Sequence, residues 1–367
     1  MIEVYSSYEQ CQYGSAANTS GGVGMHGYCV NSWGSEPVWT ELPDPSPAAG
    51  EVLVEVEACS VGLTVLNCMN GDLDNDQGLL PRVPGHELVG RVVAVGEGAD
   101  RTLLEKRVAA YFYLVCGTCD ACREGREPRC ANLAGWVGVH RDGGYAPMAV
   151  LPSLNAIPLP DELDPVAATV VPDAVATPVH VASRSEIGGG DKVVVIGAGG
   201  GVGIHMVQVA LYLGAAVAGF DVADDKLAEV DRLGAVAVRS DDFDAVDPSS
   251  VFAGGAPTVV VDLLGTEASQ RWAMAALGIG GRLVALTTFR DRGFVVESRD
   301  LVFRELSLVG SRYANRAEVA AAADLVASGA VEPIIGAVSG PANVLEIHQS
   351  LRAGTLIGRG ALDWSQQ

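Results

Sequence analysis

Two kinds of hydrophobic patterning divide the chain. From residue 25 to about 170, apolar residues come in short valine-rich runs at 51–57, 90–95, 107–112 and 146–151, separated by Gly, Pro and Asp. Such runs predict an irregular, mostly antiparallel β domain. The pattern changes after Ala174. A continuous apolar run at 192–196 predicts a buried strand, 202–213 a helix, 215–221 a second strand and 226–233 a second helix. Residues 258–263, 281–286 and 305–310 read as later strands. Strands alternating with helices predict a parallel, doubly wound sheet. The tail adds helices at 316–328 and 344–352 and a final strand at 358–362. Residues 1–24 are polar, rich in Ser, Gly and Asn and without period, and read as an extension ahead of the fold.

Composition narrows the class. With 45 glycines and only 6% aromatics among 367 residues, the chain suits an α/β protein of tight turns and Val/Ala-rich strands. A formal net charge of -21 repels nucleic acid and anionic membrane, so neither is expected as a partner. Residues 193–220 are apolar but are broken by a glycine cluster and carry His205 and Gln208, which reads as strand, turn, helix and strand and not as a membrane span. No apolar run follows a basic start, so the expected location is cytoplasmic. In that compartment eight cysteines point to metal binding sooner than to disulfides.

The segment from Val193 runs a strand into Gly197, Ala198, Gly199, Gly200, Gly201, Val202 and Gly203 and then a helix. Glycines let the backbone approach a pyrophosphate, and a helix N-terminus offers free amides and partial positive charge. If Gly200 and Gly203 are the second and third fingerprint glycines, the first falls on Ala198. Asp221 ends the next strand, 18 residues after Gly203, where a carboxylate accepts both ribose hydroxyls and repels a 2′-phosphate. Lys226 follows within reach of the same ribose, and no arginine lies near Asp221 before Arg232. The pattern predicts a dinucleotide site preferring NAD(H) over NADP(H).

Cys116, Cys119, Cys122 and Cys130 follow the spacing C-x2-C-x2-C-x7-C. Four thiolates on one short loop close around a tetrahedral ion and leave no coordination position for substrate, which predicts one structural Zn2+ per chain. Cys11, Cys29, Cys59 and Cys68 have no comparable partners and read as ordinary thiols.

Together with Pro84-Gly-His-Glu87, Asp142-Gly-Gly-Tyr-Ala146, Gly280-Gly-Arg282 and Gly358-Arg-Gly360, these features resemble the medium-chain dehydrogenase/reductase family, in its zinc-containing alcohol dehydrogenase branch. The likeness runs from about residue 25 to the end. It implies an α/β fold with a GroES-like β-rich catalytic domain (25–173 and 313–367) and an inserted Rossmann doubly wound parallel-sheet domain (174–312). It also implies a cofactor contact from Arg359 and a homodimer or homotetramer.

The departures from the family pattern bear on chemistry. Where the family has a zinc-binding Cys followed by a hydroxyl and an Asp, this chain has Gly62, Thr64 and Val65. The relay histidine becomes Asn67, the histidine ligand survives as His86 beside Glu87, and the third ligand position falls on Pro172. One imidazole does not hold zinc against water, so no catalytic zinc is expected; the alternative is a site rebuilt from His86, Glu87 and Asp173. Only Lys106, Lys192 and Lys226 occur, none placed to assist a catalytic tyrosine. Hydride transfer to a small substrate with an activated C=C, C=N or carbonyl group needs least electrophilic help, with Thr64, His86 and Glu87 as candidate catalytic residues. An ordinary alcohol dehydrogenase with a rebuilt zinc site and a non-catalytic NAD(H)-binding protein are the other readings.

Overall fold

A computed structural model describes residues 24–287, 293 and 296–366. Apart from Gly24, the segment read as an N-terminal extension lies outside the described residues, and so does Cys11.

Two sheets organise the chain. The first has seven strands in the order Ile335–Ser339, Arg359–Asp363, Glu51–Val61, Leu88–Val95, Arg107–Ala110 and Ala156–Pro158, with Met148–Pro152 also pairing with Glu51–Val61. It is antiparallel except where Ile335–Ser339 runs parallel to Arg359–Asp363. Sequence-late strands therefore close the edge of a sheet built early in the chain. A hairpin, Met25–Cys29 with Val38–Leu42, precedes it.

The second sheet is all parallel, in the order Val236–Arg239, Ala216–Asp221, Lys192–Ile196, Val259–Asp262, Arg282–Ala285 and Ser307–Gly310. Val193 to Ile196 and Val259 to Val261 are wholly buried, because helices cover both faces. Helix Gly201–Tyr212 supplies Ile204, Met206 and Val207 to that core, and each such burial stabilises by roughly 1.5–3 kcal/mol. Two details depart from the sequence reading. The strand expected from 305 begins at Ser307, because Glu305 turns the chain at φ 49°. Val236–Arg239, four half-exposed residues at the sheet edge, is a strand that the periodicity did not reveal.

Between the sheets runs the apolar segment Pro165–Arg184, whose apolar window is 72% buried inside the protein. Its middle, Val171–Val175, is a π-helical turn.

Candidate active site

Strand Glu51–Val61 pairs with Leu88–Val95 on one side and Arg359–Asp363 on the other, with Cys59 opposite Leu88 and Val61 opposite Gly360. One residue beyond these pairings, Gly62 lies against Arg359. The Ser60 amide donates to the Glu87 carbonyl at 3.0 Å, which brings His86 and Glu87 to the same strand end. The π-turn supplies Asp173 from the other side.

The result is a buried charged cluster. His86 Nε2 stands 3.6 Å from Asp173 Oδ2 and 3.9 Å from Glu87 Oε2. Arg359 Nη2 reaches Asp173 Oδ2 at 3.0 Å and Glu87 Oε1 at 3.2 Å. Thr177 Oγ1 donates to Asp173 Oδ1 at 2.5 Å. The His86 ring lies on Phe112, centroids 4.3 Å apart, and neither ring nitrogen has a hydrogen-bond partner. Burial pushes the Glu87 carboxyl above its usual range, only partly offset by Arg359. Burial acts on Asp173 in the same sense, but His86, Arg359 and Thr177 outweigh it and hold that carboxyl well below the usual range. An open cavity of 410 Å³ lined by Met25, Leu42, Arg82 and Met148 shares no residue with this cluster, so the cluster's chemistry does not take place there.

Gly62 is a consequence of Arg359. A Cβ on Gly62 would come 1.7 Å from Arg359 Nη1, and one on Gly201 would come 2.6 Å from Arg359 Cδ. The guanidinium thus fills the room beside Gly62, and its stem crosses the start of the glycine-rich helix. Its expected contact with the cofactor is compatible with that stem. Its engagement with two acids was not foreseen.

A correction concerns the third family ligand. The residue that faces His86 is Asp173, while Pro172 turns away and its carbonyl accepts the Tyr313 hydroxyl at 2.6 Å. The turn is π-helical, its hydrogen bonds spanning five residues in place of four, with the Val175 amide bonded to the Val170 carbonyl at 2.9 Å. His86, Glu87 and Asp173 place ligand atoms within 4.8 Å of one another, a donor set that a divalent cation accepts. Thr64, in the first turn of helix Leu63–Met69, is half-buried and makes no hydrogen bond to the cluster.

The glycine-rich turn has the geometry of a pyrophosphate cradle. Gly197 takes φ 81°, and a Cβ on Gly203 would strike the Gly197 carbonyl oxygen at 2.1 Å, so strand and helix meet this closely only through glycine. Gly200 caps helix Gly201–Tyr212 with no side-chain bond, and Val202 sits in its half-buried first turn, leaving amides free for an anion. Asp221 closes the next strand; its Oδ2 accepts the Gly199 amide at 2.9 Å and its Oδ1 the Val222 amide at 2.8 Å. Lys226 packs its stem over Gly199 and donates from Nζ to the Gly354 carbonyl at 2.8 Å. His205, whose pKa burial pushes down to about 4, bonds Gly201 O through Nδ1 and accepts the Ile334 amide through Nε2. That neutral ring ties the cradle to residues leading into the first sheet.

The cysteine lobe fits its ion. Neighbouring sulfurs lie 3.5 to 4.0 Å apart: Cys119–Cys122 3.5, Cys116–Cys130 3.6, Cys116–Cys122 3.9 and Cys119–Cys130 4.0 Å. A tetrahedral zinc with Zn–S bonds of about 2.3 Å needs sulfurs about 3.8 Å apart. Backbone amides of Thr118 and Cys119 pull the Cys116 thiol down to about 5, whereas burial lifts Cys122 to about 12. Cys29, Cys59 and Cys68 are buried, and none of them joins the four-cysteine lobe.

Comparison with known proteins agrees with this architecture. Residues 48–161 match the alcohol dehydrogenase GroES-like domain and residues 201–328 the zinc-binding dehydrogenase family. An alcohol dehydrogenase of Moraxella sp. (strain TAE123) is 30% identical, across 93% of this chain and 100% of the relative. The acryloyl-coenzyme A reductase of Metallosphaera sedula is 30% identical, across 80% of this chain and 86% of the relative. A solved NAD-dependent alcohol dehydrogenase superposes with a TM-score of 0.84 at 27% identity, covering 92% of this chain and 99% of that one. With its GroES-like and Rossmann sheets, its dinucleotide cradle and its four-cysteine lobe, the chain belongs to the medium-chain, zinc-containing alcohol dehydrogenase family of NAD-dependent oxidoreductases.

Proposed function

We propose that the protein is an NADH-dependent reductase of a small substrate carrying an activated double bond, a conjugated C=C above C=N or carbonyl, and that it works without a catalytic zinc. The observation that carries this reading is the guanidinium of Arg359, held 3.0 Å from Asp173 and 3.2 Å from Glu87 in the space beside Gly62. A divalent ion among the same carboxylates would stand next to a fixed positive charge, with no ligand from residue 62. The relative named acryloyl-coenzyme A reductase supports the substrate class, since the substrate in its name is a conjugated thioester.

NADH, when bound in the cradle, supplies the hydride to the β-carbon of such a substrate. The electron pair of the double bond then spreads into the carbonyl as an enolate, and the α-carbon needs a proton. His86 is the donor in this reading: its nitrogens are otherwise unbonded among the described residues, and Asp173 Oδ2 stands 3.6 Å from Nε2, where it orients the ring. Arg359 holds Asp173 in place through Oδ2 while Thr177 holds Oδ1. Thr64, next but one to Gly62, is the hydroxyl available to the enolate oxygen. NADH consumption with an enoyl thioester and with simple ketones tests the proposal; turnover of the enoyl compound only is expected. Oxidation of simple alcohols in preference, abolished by a chelator, would overturn it.

Two copies should associate along strand Ser307–Gly310. Among the described residues it pairs on one side only, and Leu308, Val302 and Phe303 are exposed near it. Light scattering at the mass of one chain would contradict this.

A further inference from the structure

The strand missed by periodicity adds an arginine to the cofactor site. Val236–Arg239 pairs in parallel with Ala216–Asp221, and in that register Arg239 lies directly beside Asp221. Its Nη1 donates to the Val222 carbonyl at 2.6 Å, one residue past Asp221, and to Asp241 Oδ2 at 2.9 Å. Its Nη2 donates to Asp224 Oδ1. Along the chain the first arginine after Asp221 is Arg232, which bonds Glu229 and Glu332 on the surface. In a dinucleotide fold the acid at the end of the second strand takes the ribose hydroxyls, and a nearby arginine is what accommodates a 2′-phosphate. This chain has both residues, side by side.

We infer that Arg239 is a cofactor-specificity residue kept silent by Asp224 and Asp241, so that NADPH is excluded by Asp221 together with the two carboxylates that pair this guanidinium, and not by Asp221 alone. Each ion pair is exposed and individually weak. The exclusion comes from the sign of the local charge. Removing Asp221 leaves two carboxylates to one guanidinium, still hostile to a phosphate. Removing all three leaves the guanidinium alone and positioned at the ribose by its bond to the Val222 carbonyl. This inference stands on the cofactor site and is independent of whether a metal sits beside His86.

Fluorescence titration of NADPH and NADH tests it on four forms of the full chain. These are wild type, Asp221→Ser, the triple variant Asp221→Ser/Asp224→Asn/Asp241→Asn, and that triple variant with Arg239→Ala. Asp221→Ser alone should improve NADPH affinity less than about tenfold, and the triple variant by roughly a further tenfold or more, within the usual range of site couplings. Arg239→Ala should erase the second gain while NADH still binds, and the gain should shrink as salt rises. A full switch from Asp221→Ser alone, or a triple variant indifferent to Arg239→Ala, would overturn the inference. Matching far-UV circular dichroism and thermal melting across the four forms separate failure of the idea from failure of the protein, whatever NADH affinity the loss of Asp221 costs.

Discussion

The cysteine lobe and the His86 cluster are built on opposite principles. All four lobe ligands lie within one stretch from Cys116 to Cys130, and their sulfurs sit at the spacing of a tetrahedral zinc. The cluster draws Gly62, His86, Glu87, Asp173 and Arg359 from four distant segments, and its positive charge is a guanidinium that belongs to the chain. A local loop can keep its ion through large changes elsewhere. In the cluster, assembled from sheet registers, the absence of a side chain at residue 62 leaves room for the guanidinium of Arg359.

Cys119→Ser should have the largest effect. A closed thiolate site contributes folding free energy directly, so losing it should cost on the order of several kcal/mol, seen as a fall in Tm together with loss of zinc. A variant that keeps its Tm would put the lobe on the same footing as the cluster. Next comes Arg359→Met, which strands Glu87 and Asp173 without a counter-charge and should destabilise by about 3–5 kcal/mol in denaturant titration. Gly62→Ala should act in the same direction but less, by about 1–3 kcal/mol, because it only displaces the guanidinium.

Acid titration sharpens the contrast within the cluster. Asp173 has a depressed folded pKa, so its contribution is present at neutral pH and is lost as pH falls through that value. Asp173→Asn should therefore cost most at neutral pH, and the gap to wild type should close below about pH 4. Glu87 has a raised folded pKa, so its ionisation costs stability as pH rises through that value. Glu87→Gln should gain on wild type toward neutral pH; parallel curves for the two variants would contradict the assignment. The smallest effect belongs to Thr64→Val, expected to slow turnover by roughly 10²-fold with little change in stability, against roughly 10²–10⁴ for His86→Gln. Unchanged turnover in Thr64→Val would remove the enolate-oxygen role from that hydroxyl.

The sequence made local features readable. The lobe, the glycine turn, Asp221 and the alternation of strands with helices all lie within single short windows. What stayed hidden depends on neighbours across the sheets. Asp173 was readable as a candidate beside His86 and Glu87; the π-turn that carries it, and the contact of Pro172 with Tyr313, were not, because no hydrophobic period signals that turn. Arg359 meets Gly62 through the pairing of Gly360 with Val61, residues far apart in the chain. Val236–Arg239 is too short and too exposed to show a strand pattern, so Arg239 was invisible beside Asp221. Glycine at 62 was legible as a departure from the family pattern; that it makes room for a guanidinium was not.

The central claim is that the metal lies in the lobe and the guanidinium in the cluster. Elemental analysis of the purified full-length chain after dialysis measures this most directly. One zinc per chain, lost in Cys119→Ser and unchanged in Asp173→Asn, is the predicted result. Two zincs per chain, one of them lost in Asp173→Asn, would contradict it.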